Sequence, residues 1–324
     1  MRAAYYERNG TAKEVLHVGD VDTPQPGPGE VRIKLRTSGV NPSDVKNRAG
    51  LTRRIAFPRV IPHSDGAGVI DAVGAGVAKS RIGERVWTWN AQWKRPFGTA
   101  AEYITLPEIQ AVNLPAAISF EAGACLGIPA LTAWHAIDIA GTAKGTTLLI
   151  AGGAGAVAHY AIQFAKARGA RVIATVSSAA KAEIARAAGA DHTIDRKTED
   201  VGARVMALTE GGADAVIELD LSANAALLPG VLRPRGTLVV YGTGPQVQFP
   251  GSFCLVNNIT VKFLLVYELT AEQRARAVAD ITRMLEANSL IHNVAATFPL
   301  GEIVAAHETV EQGRVAGNVV LEIG

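Results

Sequence analysis

Cysteine is scarce: the 324-residue chain has two, Cys125 and Cys254. Two isolated thiols build neither a disulfide framework nor a Cys-rich structural zinc site, and both read as small apolar core residues without chemistry. A reducing, cytoplasmic compartment is the expectation. An excess of either charge is also missing. The 32 Lys and Arg balance 30 Asp and Glu, for a net charge of +2. That gives no electrostatic reason to expect nucleic acid or an anionic membrane as a partner. No apolar run reaches the roughly 18 residues of a membrane span. The longest candidate, 261–267, contains Lys262. The N-terminal MRAAYYERNG has no apolar signal core. Internal repeats and low-complexity linkers are absent too.

What is present suits folded domains: 48% hydrophobic and 19% charged residues. The length predicts two domains, at about 100–200 residues each. Residues 1 to about 114 are rich in Gly, Pro and short β-type runs. Val31-Arg32-Ile33-Lys34-Leu35 alternates like a half-buried strand, 23–30 (TPQPGPGE) is a turn-rich connector, and 66–77 contains a VIDAV strand. From about Ser119 the texture changes to Ala-rich helices alternating with apolar strands. Strands are predicted at 147–150, 171–176, 192–195, 215–219, 237–241 and 259–267, and helices at 158–168 and 179–188. Short connections between such elements imply a parallel sheet with helices on both faces. A helix over 270–290 with Thr270 as N-cap follows, then short strands and a helix near 302–312. The α/β block therefore sits inside the chain, flanked by two parts of another domain.

The most informative stretch is LLIAGGAGAVAHYAIQFAKARGARVIATVSS. In it Gly153, Gly155 and Ala158 fit G-x-G-x-x-G/A between a strand and a helix. The turn needs a residue tolerant of unusual backbone angles, Gly155 lets the backbone approach a pyrophosphate, and Ala158 lets the helix pack closely on the strand. The helix N-terminus then faces phosphate with unpaired N–H groups. A plain strand–helix turn is the alternative, which the flanking elements disfavour. An acid at the tip of the second strand would hold the 2′-hydroxyl of NAD. Ser177, Ser178 and Lys181 stand there instead, with Arg196 after the third strand. Hydroxyls and cations suit a 2′-phosphate, so NADPH is expected over NADH. Lys181 can alternatively be a solvated helix residue.

In order along the chain come 38–50 (SGVNPSDVKNRAG), 62–76 (PHSDGAGVIDAVGAG), 83–86 (GERV), 97–103 (FGTAAEY), 123–134 (GACLGIPALTAW), the Gly-rich turn, 236–242 (GTLVVYG) and 317–321 (GNVVL). With these segments the whole chain resembles the zinc-independent medium-chain dehydrogenases/reductases, and within them the NADPH:quinone oxidoreductases of zeta-crystallin type. The resemblance implies an α/β protein. A GroES-like β-rich catalytic domain would be built from 1–118 and 268–324, and a Rossmann domain with a doubly wound parallel sheet from 119–267, with the cofactor in the cleft between them. It places cofactor contacts on Gly153, Ala154, Gly155, Ala156, Val157, Ser177, Ser178, Lys181, Arg196, Asn224, Tyr241, Gly242, Thr243 and Gly244, with Asn41 and Thr132 near the nicotinamide. Asn318 is counted with these cofactor contacts and stands where the family usually has Lys. Ala156 and Ala158 replace two glycines of the family turn. The implied partner is a second copy, in a homodimer or tetramer, joined through the edge run 259–267.

Catalytic zinc needs three protein ligands. Asn41 stands where the first Cys would, His63 fills a His position, and the third falls near Ile128, so no metal is expected. The implied reaction is hydride or electron transfer to a quinone or enone. The alternatives are a non-catalytic NADPH-binding protein and an alcohol dehydrogenase-type carbonyl reductase. Asn41 is the candidate for positioning the nicotinamide or a substrate oxygen, or else a turn residue before Pro42. Lys46 stands where the family often has Tyr; it would stabilise an oxyanion, or be an exposed loop lysine. His63 replaces a family Gly; it would donate a proton at the cleft, or hydrogen-bond Ser64, Asp65 or backbone. Trp87, Trp89 and Trp93 would wall a flat ring ligand, or serve as core or dimer contacts.

Overall fold

The computed structural model describes all 324 residues, which divide into two compact units, Met1–Pro129 with Val278–Gly324, and Ala130–Ala277. The divisions at 129/130 and 277/278 replace those expected at 118/119 and 267/268. Both lie in helical chain, the first in the π-helical turn Leu126–Ala130 and the second inside helix Ala271–Glu286. A boundary without a linker leaves no mark in composition.

In the first unit the chain forms β1 (Arg2–Tyr5), β2 (His17–Asp20), β3 (Glu30–Val40), β4 (Asp65–Val73), β5 (Arg85–Thr88), β6 (Tyr103–Pro107) and β7 (Ala111–Asn113). The second unit contributes β8 (Thr147–Ile150), β9 (Arg171–Val176), β10 (His192–Asp195), β11 (Ala213–Glu218), β12 (Leu232–Val240) and β13 (Thr260–Phe263). The tail returns with β14 (Val294–Pro299) and β15 (Asn318–Glu322).

β3 organises the first unit. Its Val31, Ile33 and Leu35 are buried while Arg32, Lys34 and Arg36 alternate outward. It pairs with β4, β6 and β15 in a mixed sheet of order β14-β15-β3-β4-β5-β7. The register Val319↔Val40 to Glu322↔Thr37 ties the two chain ends together. One core cluster confirms this, since Ala3, Ala4, Val40 and Val45 pack with Ile303, Ala306 and Leu321.

The second unit is a six-stranded sheet of order β10-β9-β8-β11-β12-β13, parallel throughout. β9 is buried from Val172 to Val176, the continuous apolar run of a strand covered on both faces. Thr270 caps helix Ala271–Glu286 reciprocally: Gln273 N–H donates to Thr270 Oγ1 at 3.2 Å and Thr270 N–H to Gln273 Oε1 at 2.9 Å. The expected edge run 259–267 is shorter as a strand. It ends at Phe263, because Val266 and Tyr267 turn into a buried 3₁₀ turn. No helix is long and apolar enough to cross a membrane.

Candidate active site

The order of the parallel sheet reverses between β8 and β11, and open α/β sheets take ligands at the carboxyl ends of strands at such a point. β8 runs there into the Gly-rich turn. The residue that needs left-handed backbone is Gly152, at φ +67°, one position before the predicted pattern. Its N–H donates to Thr175 Oγ1 at 3.0 Å, and Gly153 N–H to the Thr175 carbonyl at 2.9 Å, so β9 holds the turn. Gly153 serves packing instead: a Cβ there would meet Ala174 Cβ at 2.7 Å and Ala185 Cβ at 3.1 Å.

Gly155 is the N-cap of helix Ala156–Ala167, and a Cβ on it would meet only the Gly152 carbonyl oxygen, at 3.2 Å. The first intrahelical bond is donated by His159 to the Gly155 carbonyl at 2.9 Å. The N–H groups of Ala156, Val157 and Ala158 thus have no intrahelical partner and point outward at the positive end of the helix. Ala156 and Ala158 are helical, so neither needs a glycine. Alanine there favours the helix by about 1 kcal/mol over glycine, and the Ala158 methyl is buried in the helix–sheet contact.

The neighbouring strand ends gather the other expected residues. Lys181 Nζ donates to Ser177 Oγ at 3.3 Å, and Ser178 caps helix Ala179–Ala187 by accepting from Lys181 N–H at 3.3 Å. Arg196 is exposed, and its N–H bonds the Val176 carbonyl at 3.0 Å, which sets it beside Ser177. On the other side the loops after β11 and β12 interlock. Leu221 N–H donates to the Gly242 carbonyl at 3.1 Å and Gly244 N–H to Ser222 Oγ at 3.2 Å. Asn224 Nδ2 is held by Glu218 Oε1 at 2.9 Å, and Tyr241 N–H bonds the Glu218 carbonyl at 3.0 Å. Burial raises the Glu218 carboxyl above its ordinary value. Thr243 is exposed in this loop, and Thr132 is buried in the first turn of helix Leu131–Ile139. Asn318 Nδ2 donates to the Asn293 carbonyl of its own unit at 3.1 Å.

In the first unit Asn41 is the turn residue before Pro42 that the sequence offered as one of its two readings. It is buried, caps helix Pro42–Ala49 with Pro42 in the first turn, and its Nδ2 donates to Asp65 Oδ2 at 2.7 Å. Asp44, three residues on, accepts the Asn41 N–H at 2.8 Å. Burial raises Asp44 to about 7 and Asp65 well above the carboxylate range, against the pull of the Asn41 bonds on both. Asp65 Oδ1 has no partner of hydrogen-bond geometry, although the Ile128 N–H lies close enough to favour its charged form.

His63 does not join them. It is fully buried, with Nδ1 at 2.9 Å from Ser38 Oγ and Nε2 at 2.9 Å from His307 Nε2 on helix Ile303–Glu311. A cleft proton donor is therefore ruled out. His63 sits at φ +78°, a left-handed backbone conformation that glycine adopts more readily. The proton order follows from the chain of contacts. The Asp65 carbonyl can only accept, so Thr99 Oγ1 donates to it. Ser38 must then donate to Thr99, at 2.8 Å, and accept from His63 Nδ1–H. His63 Nε2 is left bare and accepts His307 Nε2–H, leaving buried His307 Nδ1 unpartnered. Burial lowers both imidazoles, His63 to about 3.

Lys46 is exposed on helix Pro42–Ala49, not on a loop. Trp87 is a fully buried core residue of β5, and Arg53 and Lys94 lie over the Trp93 ring at 4.9 and 5.4 Å. Trp87 and Trp93 thus offer no bare ring wall. Cys125 is buried, but Cys254 is only half-buried. No three His, Cys, Asp or Glu side chains are grouped to hold a metal. Of the residues that sequence reasoning missed, Asp44 was visible as the fourth position of N-P-S-D, a capping pattern, and Gly152 as the glycine before the motif. Ser38, Thr99 and His307 carried no local signal.

Two family models match the chain, the alcohol dehydrogenase GroES-like domain over residues 27–116 and the zinc-binding dehydrogenase domain over 156–283. A quinone oxidoreductase from Pseudomonas aeruginosa is 31% identical over 95% of this chain and 95% of its own length. A 2-haloacrylate reductase from Burkholderia sp is 30% identical over 99% of this chain and 98% of its own. Among solved structures, an NAD-dependent alcohol dehydrogenase is 30% identical with a TM-score of 0.91, and a mycobacterial protein complexed with NADPH is 29% identical with a TM-score of 0.88. Each of these two covers 100% of both chains.

Proposed function

Because this chain belongs to the quinone oxidoreductase branch of the medium-chain dehydrogenases/reductases, we propose that it reduces quinones or conjugated enones with NADPH and without zinc. The observation that carries the cofactor is the Ser177–Lys181 contact at the end of β9, with Arg196 beside it and no acid at that tip. Together with the outward N–H groups of residues 156–158, these donors suit a dinucleotide that bears a 2′-phosphate. Bound NADPH supplies a hydride. The chain's own residues hold the pyrophosphate on the helix N-terminus, grip the 2′-phosphate and orient the acceptor. Asn41, its amide held by Asp65, is the proposed positioning residue. Zinc is left out because its three expected positions offer an amide engaged by Asp65, an imidazole engaged by His307, and Ile128. Purified protein is expected to oxidise NADPH with 1,4-benzoquinone or an enone at a rate untouched by a chelator. No turnover across such a panel, or stoichiometric zinc with loss of activity on its removal, overturns the reading.

The two thiols form no disulfide, which suits a cytoplasmic protein. We also propose that the chain forms a homodimer through β13. This strand is an edge, paired on one side only by β12, and Leu255, Val256, Phe263 and Leu265 near it are exposed at 80, 77, 66 and 52%. An apolar edge of this kind needs a cover. The double substitution Leu255→Lys and Phe263→Lys is expected to yield a monomer by light scattering; an unchanged mass would refute the interface.

A further inference from the structure

The chain around helix Pro42–Ala49 is unusual in charge. Residues 45–64 hold five Lys or Arg and residues 85–101 hold three, and neither stretch has a single Asp or Glu. A net charge of +2 gives no global reason for this. Several of the cations are accounted for. Arg48 pairs with Glu311 at 2.8 Å, Arg59 pairs with Glu7 at 2.7 Å, and Arg85 covers the Phe120 ring at 4.0 Å.

Arg53 is different. Its guanidinium lies 4.9 Å over the Trp93 ring, and its Nη2 donates to Gln92 Oε1 at 3.1 Å. Gln92 is buried and fixed in turn, with its Nε2 on the Arg95 carbonyl at 2.8 Å. The loop behind Arg53 is pinned at two points. Thr52 donates to Asn47 Oδ1 at 2.6 Å, and Ile55 N–H to Asn9 Oδ1 at 2.9 Å. Neutral partners thus set the plane of a half-buried guanidinium that has no carboxylate of this chain within ion-pair distance. A cation oriented in this way, with no carboxylate in direct contact, is poised for an external anion. Its place in the unit is informative as well. Its charge pulls down the carboxyl of Asp44 and the phenol of Tyr6 against their burial, and Asp44 accepts the N–H of Asn41.

We propose that Arg53 anchors a carboxylate on the acceptor, so that the preferred substrate is a conjugated acid rather than a neutral quinone. The inference rests on the reductase reading above. A guanidinium offers two parallel N–H donors that match a carboxylate, and Trp93 holds that fork in place before the substrate arrives. The same stacking occupies the Trp93 face that a neutral quinone ring would need. The redox step is that of any enone: hydride from NADPH to the β-carbon, a proton from solvent to the α-carbon, and NADP⁺ and the saturated acid as products. The carboxylate is unchanged throughout.

The test uses a matched pair of acceptors, trans-4-oxo-2-pentenoate and its methyl ester, with NADPH and the full-length protein. The wild type is expected to favour the acid in kcat/KM by about ten- to a hundred-fold, mainly through KM, and less so at high salt. In Arg53→Gln the acid/ester ratio falls to about one, and Arg53→Lys is intermediate because it keeps the charge without the planar fork. The ratio is taken within each variant, so loss of folded protein cancels. A wild-type ratio near one, or an unchanged ratio in Arg53→Gln, overturns the proposal. If the ester and 1,4-benzoquinone are reduced without preference for the acid, the carboxylate anchor fails and the reductase stands. If none of the three is reduced, both fail.

Discussion

Replacing Lys181 and Arg196 together by Ala is expected to raise the Michaelis constant for NADPH about a hundred-fold or more while leaving that for NADH near its starting value. Each charge-assisted bond to a phosphate oxygen contributes about 1.5–3 kcal/mol, and the two cations converge on one strand end. The convergence is built into the sheet. β10 and β9 pair in the register Asp195↔Val176, so Arg196 and Ser177 leave the sheet side by side, and Lys181 reaches back to Ser177 from the first turn of the next helix. Because the two side chains share one target, their effects will not add fully. Lys181→Ala alone should give about a ten-fold loss, smaller at high salt where exposed charges are screened. Adding Ser177→Asp to the double variant supplies the missing acid for a ribose 2′-hydroxyl and should invert the preference toward NADH. Steady-state kinetics with both coenzymes decides the matter. Equal losses for NADPH and NADH would remove the 2′-phosphate from this site.

The second large effect concerns pH. His63 and His307 are held neutral in the fold by burial, whereas both titrate near pH 6.5 in the unfolded chain. Below that value the unfolded state binds more protons, so these imidazoles withdraw stability as pH falls from about 6.5 toward the folded value of about 3 for His63. Asp44 and Asp65 act in the opposite sense. Burial raises both, so the fold keeps the proton that the unfolded chain releases near pH 3.9. Their contribution is complete below that point and is lost as pH rises, for Asp44 through about 7. Between pH 4 and 6.5 the two trends oppose each other, and the wild type should show a shallow profile.

Removing both imidazoles with His63→Gly and His307→Leu exposes the carboxyl trend. The glycine suits the backbone at φ +78°, and the leucine keeps a side chain of similar size at a fully buried position of helix Ile303–Glu311. The double variant should lose unfolding free energy between pH 4 and pH 7, on the order of 4 kcal/mol through Asp44 alone at about 1.4 kcal/mol per pH unit, with Asp65 adding to it. Urea midpoints across that range are the measurement, and a profile parallel to the wild type would sink the assignment. Imidazole nitrogen shifts should also show His63 protonated on Nδ1 and His307 on Nε2.

Much of the dinucleotide site was legible because each of its parts is local. Ser177, Ser178 and Lys181 lie within five positions at the end of a strand whose apolar run, 171–176, marks its own limits. A turn, its glycines and the helix behind them occupy one continuous segment, so the residues that encode the structure are also those proposed to meet the ligand. The detail that escaped was which glycine does what. The pattern names Gly153, but the left-handed residue is Gly152, and only the approach of Ala174 and Ala185 shows that Gly153 is there to save space.

The first unit was harder, for the same reason in reverse. Trp87 was open to two readings until β5 was seen packed between β4 and β7, which makes it core. The Asn41 amide is held by Asp65, 24 residues away, a bond that no local pattern around Asn41 announces. His63 was weighed as a cleft residue because its partner His307 is 244 residues distant. Nothing in the neighbourhood of either residue announces the pair.

The sequence by itself determined the periodic elements, the parallel sheet, the Gly-rich turn and the basic strand end, since all of these depend on residues close in the chain. Tertiary structure alone decided the places of the unit boundaries, the burial of the histidine pair with its proton order, and the seating of Arg53 on Trp93. Those depend on contacts between distant segments, whose energies arise only once the β3–β15 pairing has brought the two ends of the chain into one core.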